Sequence, residues 1–117
     1  MRSRAVHALT SASVILMCLV FVMDPGAAPA QSTTVEIAVK DKRFQPAEVR
    51  APAGTPIALR IKNLDPKPME FESVSLRVEK VVSGNSEAMI NLRALSPGRY
   101  NFFDDFNPQN KGVLVVQ

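Results

Sequence analysis

Tryptophan is missing from this 117-residue chain, and cysteine, histidine and tyrosine occur once each. A single cysteine excludes an internal disulfide framework. Both Cys18 and His7 fall in an N-terminal stretch with the character of an export signal. Met1-Arg2-Ser3-Arg4 is a short basic head, and the apolar run from Ala8 to Met23 falls short of the roughly 20 residues a spanning helix needs. Asp24-Pro25-Gly26 stops that run, and Ala28-Pro29-Ala30 supplies the small residues a signal peptidase reads. The pattern predicts cleavage before Gln31, with residues 1–30 a signal peptide and residues 31–117 one mature domain in the periplasm; an uncleaved anchor is the alternative. Met17 stands before Cys18 where a lipoprotein signal needs a small residue, which excludes that variant.

Cleavage deepens the absences. The 87 residues that remain hold no thiol and no imidazole, and Met69 and Met89 are their only sulfur atoms. Thiolate chemistry and histidine-based proton transfer are therefore excluded, and no nucleophile stands with a base in the manner of a hydrolase. Arg2, Arg4 and Asp24 leave with the signal, so 14 basic and 11 acidic residues become 12 and 10, a formal charge of +2. That charge is too small and too dispersed for nucleic-acid binding. No apolar run after the signal is long enough to span a membrane.

What is present is a series of short β-branched runs punctuated about every ten residues by turn formers. Val35-Glu36-Ile37-Ala38-Val39 alternates, as does Ile57-Ala58-Leu59-Arg60-Ile61, with Ile57, Leu59 and Ile61 facing inward. Between them Glu48-Val49-Arg50-Ala51 is a short strand closed by Pro52-Ala53-Gly54. Asn63 to Pro68 cannot continue a ladder, because Pro66 and Pro68 have no N–H to donate. The second half predicts strands over Leu76–Val82, Ala88–Leu92 with Ile90 and Leu92 inward, Arg99–Phe103, and an apolar, central Gly112–Val116. Ser96-Pro97-Gly98 makes the turn before the penultimate run. The total is about seven strands, mostly antiparallel, in an all-β sandwich.

Three stretches carry more than a generic sandwich. The first runs from Phe44-Gln45-Pro46 through Pro52-Ala53-Gly54 to Ile61-Lys62-Asn63. The second is Met69-Glu70-Phe71-Glu72-Ser73 followed by Glu79-Lys80-Val81-Val82. The third is Ser96-Pro97-Gly98-Arg99-Tyr100-Asn101-Phe102-Phe103-Asp104-Asp105-Phe106, closed by Lys111-Gly112. Together they resemble the cupredoxin-like domains of bacterial ferrous-iron uptake, the EfeO and FtrB type, over essentially the whole mature chain. The resemblance implies a cupredoxin-like Greek-key sandwich that binds copper or iron. It also implies two partners, a periplasmic iron-binding protein and an inner-membrane iron permease, with a role in oxidising or handing on ferrous iron. Carried over by position, the metal site comprises Met69, Glu70 and Glu72 on one segment and Asp104, Asp105 and Asn107 on the other. Family members commonly place His where this chain has Asn107, and some place His where it has Val74.

The donor chemistry narrows the metal. A type 1 blue-copper centre takes a thiolate, two imidazoles and a weak axial thioether, so the mature chain cannot build one. Carboxylates with one thioether and an amide oxygen form a harder set, suited to iron, manganese or calcium. Each residue also has a structural reading. If Met69–Ser73 is a regular strand, Met69 and Phe71 belong to the core while Glu70 and Glu72 share the solvated face. Asp104-Asp105 reads equally as turn chemistry, Asn107-Pro108 as a turn start, Glu79 with Lys80 as a surface ion pair, and the Tyr100 hydroxyl as a structural hydrogen bond. A metal-free interaction module, docking a partner through the Glu72 and Asp104 end, is the alternative function.

Overall fold

The period-two alternation of Val35, Ile37 and Val39 becomes β1 (Thr33–Lys40), whose three β-branched side chains are buried while Glu36 faces solvent. The computed structural model describes residues 31–117, so the signal peptide expected over residues 1–30 lies outside the described residues. Among those described, nine strands form and no helix. After β1 come β2 (Arg43–Gln45), β3 (Glu48–Ala51), β4 (Ile57–Asn63), β5 (Met69–Ser73) and β6 (Val78–Val82). The chain ends with β7 (Ser86–Leu92), β8 (Gly98–Asp104) and β9 (Asn107–Val116).

The strands make two sheets, ordered β2-β1-β4-β7 and β3-β9-β8-β5-β6. Five of the neighbouring pairs are antiparallel; β1 with β4 and β3 with β9 are parallel. Parallel neighbours require a crossover, and here the chain leaves the first sheet after β2, adds β3 to the second, and returns as β4. The inner faces meet over Ile37, Leu59, Ile61, Phe71, Phe102 and Leu114, none more than 1 % exposed. Phe44, Phe71 and Phe102 stack at its centre, with ring centroids 4.9 Å apart for Phe44–Phe102, edge to face, and 5.0 Å for Phe71–Phe102. Such pairs stabilise by about 0.5–1.5 kcal/mol beyond their buried area.

Two strands exceed the seven expected. β2 is only three residues long and forms because Asp41 and Lys42 both take positive φ (52° and 60°), the backbone of a tight hairpin turn. β5 is the Met69–Ser73 stretch, a full strand paired to both β6 and β8. The strand expected from Leu76 starts at Val78 instead. Arg77 holds φ at 55°, and the Ser73 hydroxyl accepts the Leu76 N–H (3.2 Å), so Val74 to Arg77 turn rather than extend. β9 is longer than Gly112–Val116 and irregular. Phe103 faces Lys111 while Asp104 faces Asn107, so Pro108, Gln109 and Asn110 bulge out with no partner on β8. Gly112 follows the bulge where a Cβ would overlap the Phe102 ring and the Ala47 carbonyl. The Tyr100 hydroxyl donates to the Ser96 carbonyl (2.8 Å), the structural role its place in a strand implied.

Candidate functional site

At one end of the sandwich the β1–β2 turn, the β4–β5 connection and the start of β9 surround a cavity of about 440 Å³. Asn63, the last residue of β4, is 1 % exposed and organises the rim. Its Nδ2 donates to the carbonyls of Lys67 (2.8 Å), Val82 (3.2 Å) and Ser83 (3.2 Å), and its Oδ1 accepts the Asp65 N–H (3.1 Å). Asp65 in turn accepts the N–H groups of Asp41 (2.8 Å) and Lys42 (2.9 Å), fastening the β1–β2 turn to the β4–β5 connection. Asp104 is buried, and its Oδ1 accepts the N–H groups of Glu70 and Phe106, both at 3.0 Å. It is a main-chain clamp between β5 and the β8–β9 turn. Met69 and half-buried Asn107 line the same cavity, and Asn107 Nδ2 donates to the Lys42 carbonyl at 3.4 Å.

Around the corner, on the outer face of β5 and β6, the carboxylates of Glu70, Glu72 and Glu79 offer oxygens that all lie within 4.8 Å of one another. Partial burial pushes the Glu70 and Glu72 carboxyls above their usual range, and the charges of Asp105 and Glu79 push further in the same direction. The six residues marked in the sequence thus divide between two places. Met69, Asp104 and Asn107 meet at the end cavity. Glu70 and Glu72 share the outer face, with Asp105 close enough to act on both. Strand alternation makes the division, because successive residues of β5 point to opposite faces of the sheet.

Glu79 joins the cluster instead of pairing with Lys80; no ion pair among the described residues includes either. The hairpin register explains the correction. With Ser73 facing Val78 across the Val74–Arg77 turn, Glu79 must face Glu72, whereas Lys80 faces Phe71. A turn of that length was the signal in the sequence that could have brought Glu79 to the site. Asn110, also unmarked in the sequence, is buried inside the β9 bulge with its Oδ1 accepting the Phe44 N–H (2.8 Å).

Residues 12–116 match the family model described as Cupredoxin-like domain. This chain belongs to that family. It is 34% identical over 113 residues to Uncharacterized protein RP394 of Rickettsia prowazekii (strain Madrid E), covering 88% of this chain and 90% of that one. Among solved structures it is similar to the metal binding domain of the Streptococcus pneumoniae Cu(I) exporting P-type ATPase CopA. The TM-score is 0.65 at 19% identity, over 72% of this chain and 84% of that one. It is also similar to auracyanin A, a blue copper protein from Chloroflexus aurantiacus, with TM-score 0.62 at 16% identity over 74% of this chain and all of that one. At such identities the likeness shows a shared fold.

A cupredoxin-like fold raises the question of copper, and the end cavity answers it through its donors. Among the described residues there is no cysteine and no histidine, and Met69 offers the one soft atom at the cavity. Asp104 Oδ1, both Asp65 oxygens, the Asn63 amide and Asn107 Nδ2 are engaged with main-chain partners. This set does not fit a type 1 copper centre. The outer carboxylates form a different set, one of hard oxygen donors with no lysine or arginine in ion-pair contact, and it fits a hard divalent cation.

Proposed function

We propose that this cupredoxin-like protein is an exported, periplasmic metal-binding accessory of ferrous-iron uptake. It works beside an iron-binding protein and an inner-membrane iron permease, and it holds its metal on the outer face of β5 and β6. The observation that carries the reading is the meeting of Glu70, Glu72 and Glu79 within 4.8 Å, without a cationic partner among the described residues. Like charges facing each other across a strand pair oppose folding. A bound divalent cation turns that repulsion into coordination, so the cluster favours the folded state only when loaded. Oxygen donors favour iron over Cu(I), in keeping with iron as the cargo. The leader pattern in residues 1–30 supports the periplasmic assignment.

The test is thermal unfolding of metal-stripped protein with Fe(II) under anaerobic conditions, and with Mn(II) and Cu(II). A ligand that binds only the folded state must raise its stability, by about 2.7 kcal/mol at a hundredfold excess over the dissociation constant. Stabilisation by Fe(II) or Mn(II) that disappears in Glu79→Gln supports the reading. Equal stabilisation in parent and variant, or none, refutes it.

The second reading, a metal-free docking module, rests on the end cavity. Its Asp104 Oδ1 is already held by two main-chain N–H groups, and Phe106 beside it stands 54 % exposed. The same titration separates the two readings, since a metal-free module gains nothing from any of the three ions.

A further inference from the structure

The β9 bulge opens a second cavity, of about 590 Å³, on the side of the sandwich end where β2 meets β9. Three cationic residues line it: Lys42 in the β1–β2 turn, Arg43 in β2 and Lys111 beyond the bulge. None of the three is in an ion pair with another described residue, whereas Arg50, Arg60, Lys62 and Arg99 all have carboxylate partners. Asp41 is the only acidic residue in the lining.

An independent observation comes from Asn110 in the same lining. The residue is 7 % exposed, and its orientation is fixed because Oδ1 accepts the Phe44 N–H at 2.8 Å. Its Nδ2 is then a buried donor without an acceptor. An unmet buried donor is costly, and amide nitrogen is no metal ligand. What Nδ2 lacks is an oxygen acceptor. Three cations without an ion-pair partner among the described residues, lining the same cavity as an orphaned N–H donor, are the complement of an oxyanion.

We propose that this cavity binds a small dianionic oxyanion, a phosphate or a dicarboxylate. Asn110 Nδ2 donates to one of its oxygens, and Lys42, Arg43 and Lys111 balance its charge. The site is separate from the carboxylate cluster on β5 and β6 and opposite to it in sign, so the two can be tested independently.

The experiment is isothermal titration calorimetry on the metal-stripped protein, with inorganic phosphate in one arm and succinate in the other, each against chloride at equal ionic strength. Two variants accompany the parent. Asn110→Asp keeps an acceptor for the Phe44 N–H but replaces the orphaned donor with a charged oxygen. Lys42→Asn removes a cation with a residue that tolerates positive φ. Saturable binding of phosphate or succinate is expected, weakened about tenfold in Lys42→Asn, the loss of one charge-assisted contact, and abolished in Asn110→Asp. The arm that binds identifies phosphate or carboxylate as the ligand chemistry. Absence of binding in both arms overturns the proposal, and so does binding that Lys42→Asn leaves unchanged. Circular dichroism confirms that each variant is folded, so that a lost signal is read as lost binding.

Discussion

Replacing Asn63 tests the construction of the sandwich end directly. The side chain is 1 % exposed and its Nδ2 lies near three carbonyls, at 2.8, 3.2 and 3.2 Å, yet an amide nitrogen has only two hydrogens. The site therefore holds two donor bonds, one of them divided between two carbonyls, and one acceptor bond to the Asp65 N–H. At roughly 1 kcal/mol net for each bond, Asn63→Ala should cost about 3 kcal/mol. For a domain of this size that is a fall in Tm of roughly 12–24 °C. Asn63→Asp sharpens the test, because it keeps the acceptor and turns a carboxylate oxygen toward three carbonyls. At neutral pH this variant should be less stable than Asn63→Ala. The folded state holds the introduced carboxyl protonated to a higher pH than the unfolded state does, so stability returns as the pH falls and the group regains a proton to donate. Urea denaturation followed by circular dichroism at neutral and mildly acid pH measures both effects. If both variants stay within about 0.5 kcal/mol of the parent, or if the Asn63→Asp loss ignores pH, the hydrogen-bond account of this end is wrong.

Three other perturbations follow from the same geometry. Glu70 and Glu72 have raised carboxyl pKa values, so the folded state binds their protons more tightly than the unfolded state. Their favourable contribution is full below the unfolded-state pKa and is lost as pH rises through the folded value. Glu72→Gln should therefore stabilise the metal-free protein at neutral pH and flatten its stability profile, which denaturant titrations across the acid range will show. Gly112→Ala places a methyl against Phe102, whose ring is packed against Phe44 and Phe71, and should destabilise by about 1–3 kcal/mol in the same assay. Asn107→His adds an imidazole to the cavity that Met69 and Asp104 line, and calorimetry should show Cu(II) binding tightened by at least about tenfold, roughly 1.4 kcal/mol. An unchanged titration would mean that these three positions do not converge on one ion.

The sandwich was legible in the sequence because its core obeys a local rule. Ile57, Leu59 and Ile61 alternate with less apolar neighbours, and the alternation alone places them inside. For Met69–Ser73 the same rule offered Met69 and Phe71 as core and Glu70 with Glu72 as one face, beside the reading of Met69, Glu70 and Glu72 as metal ligands, and Met69 and Phe71 are indeed buried. What escaped was non-local or depended on positive φ. Asp41-Lys42 lacks the glycine that advertises a hairpin turn, so β2 went unseen. Glu79 reaches Glu72 only through a register set by the four-residue turn between them. Asn110 turns inward because three residues bulge from β9, and its partner, the Phe44 N–H, is 66 positions away in the chain. No periodicity within one strand encodes such a contact.

The position of β9 bears on when this protein can fold. The strand is the last of the nine described, yet it lies inside its sheet, between β3 and β8, and its Leu114 is fully buried. Until Val113 to Val116 are available, β3 has no neighbour in that sheet and the second layer stays split. The parallel pairing of β1 with β4 likewise waits for intervening segments to be laid down elsewhere. Long-range pairings of this kind carry a large loop-closure cost before they are rewarded, which slows folding. The second sheet therefore cannot close until β9 pairs with both β3 and β8, whichever of the other strands meet first.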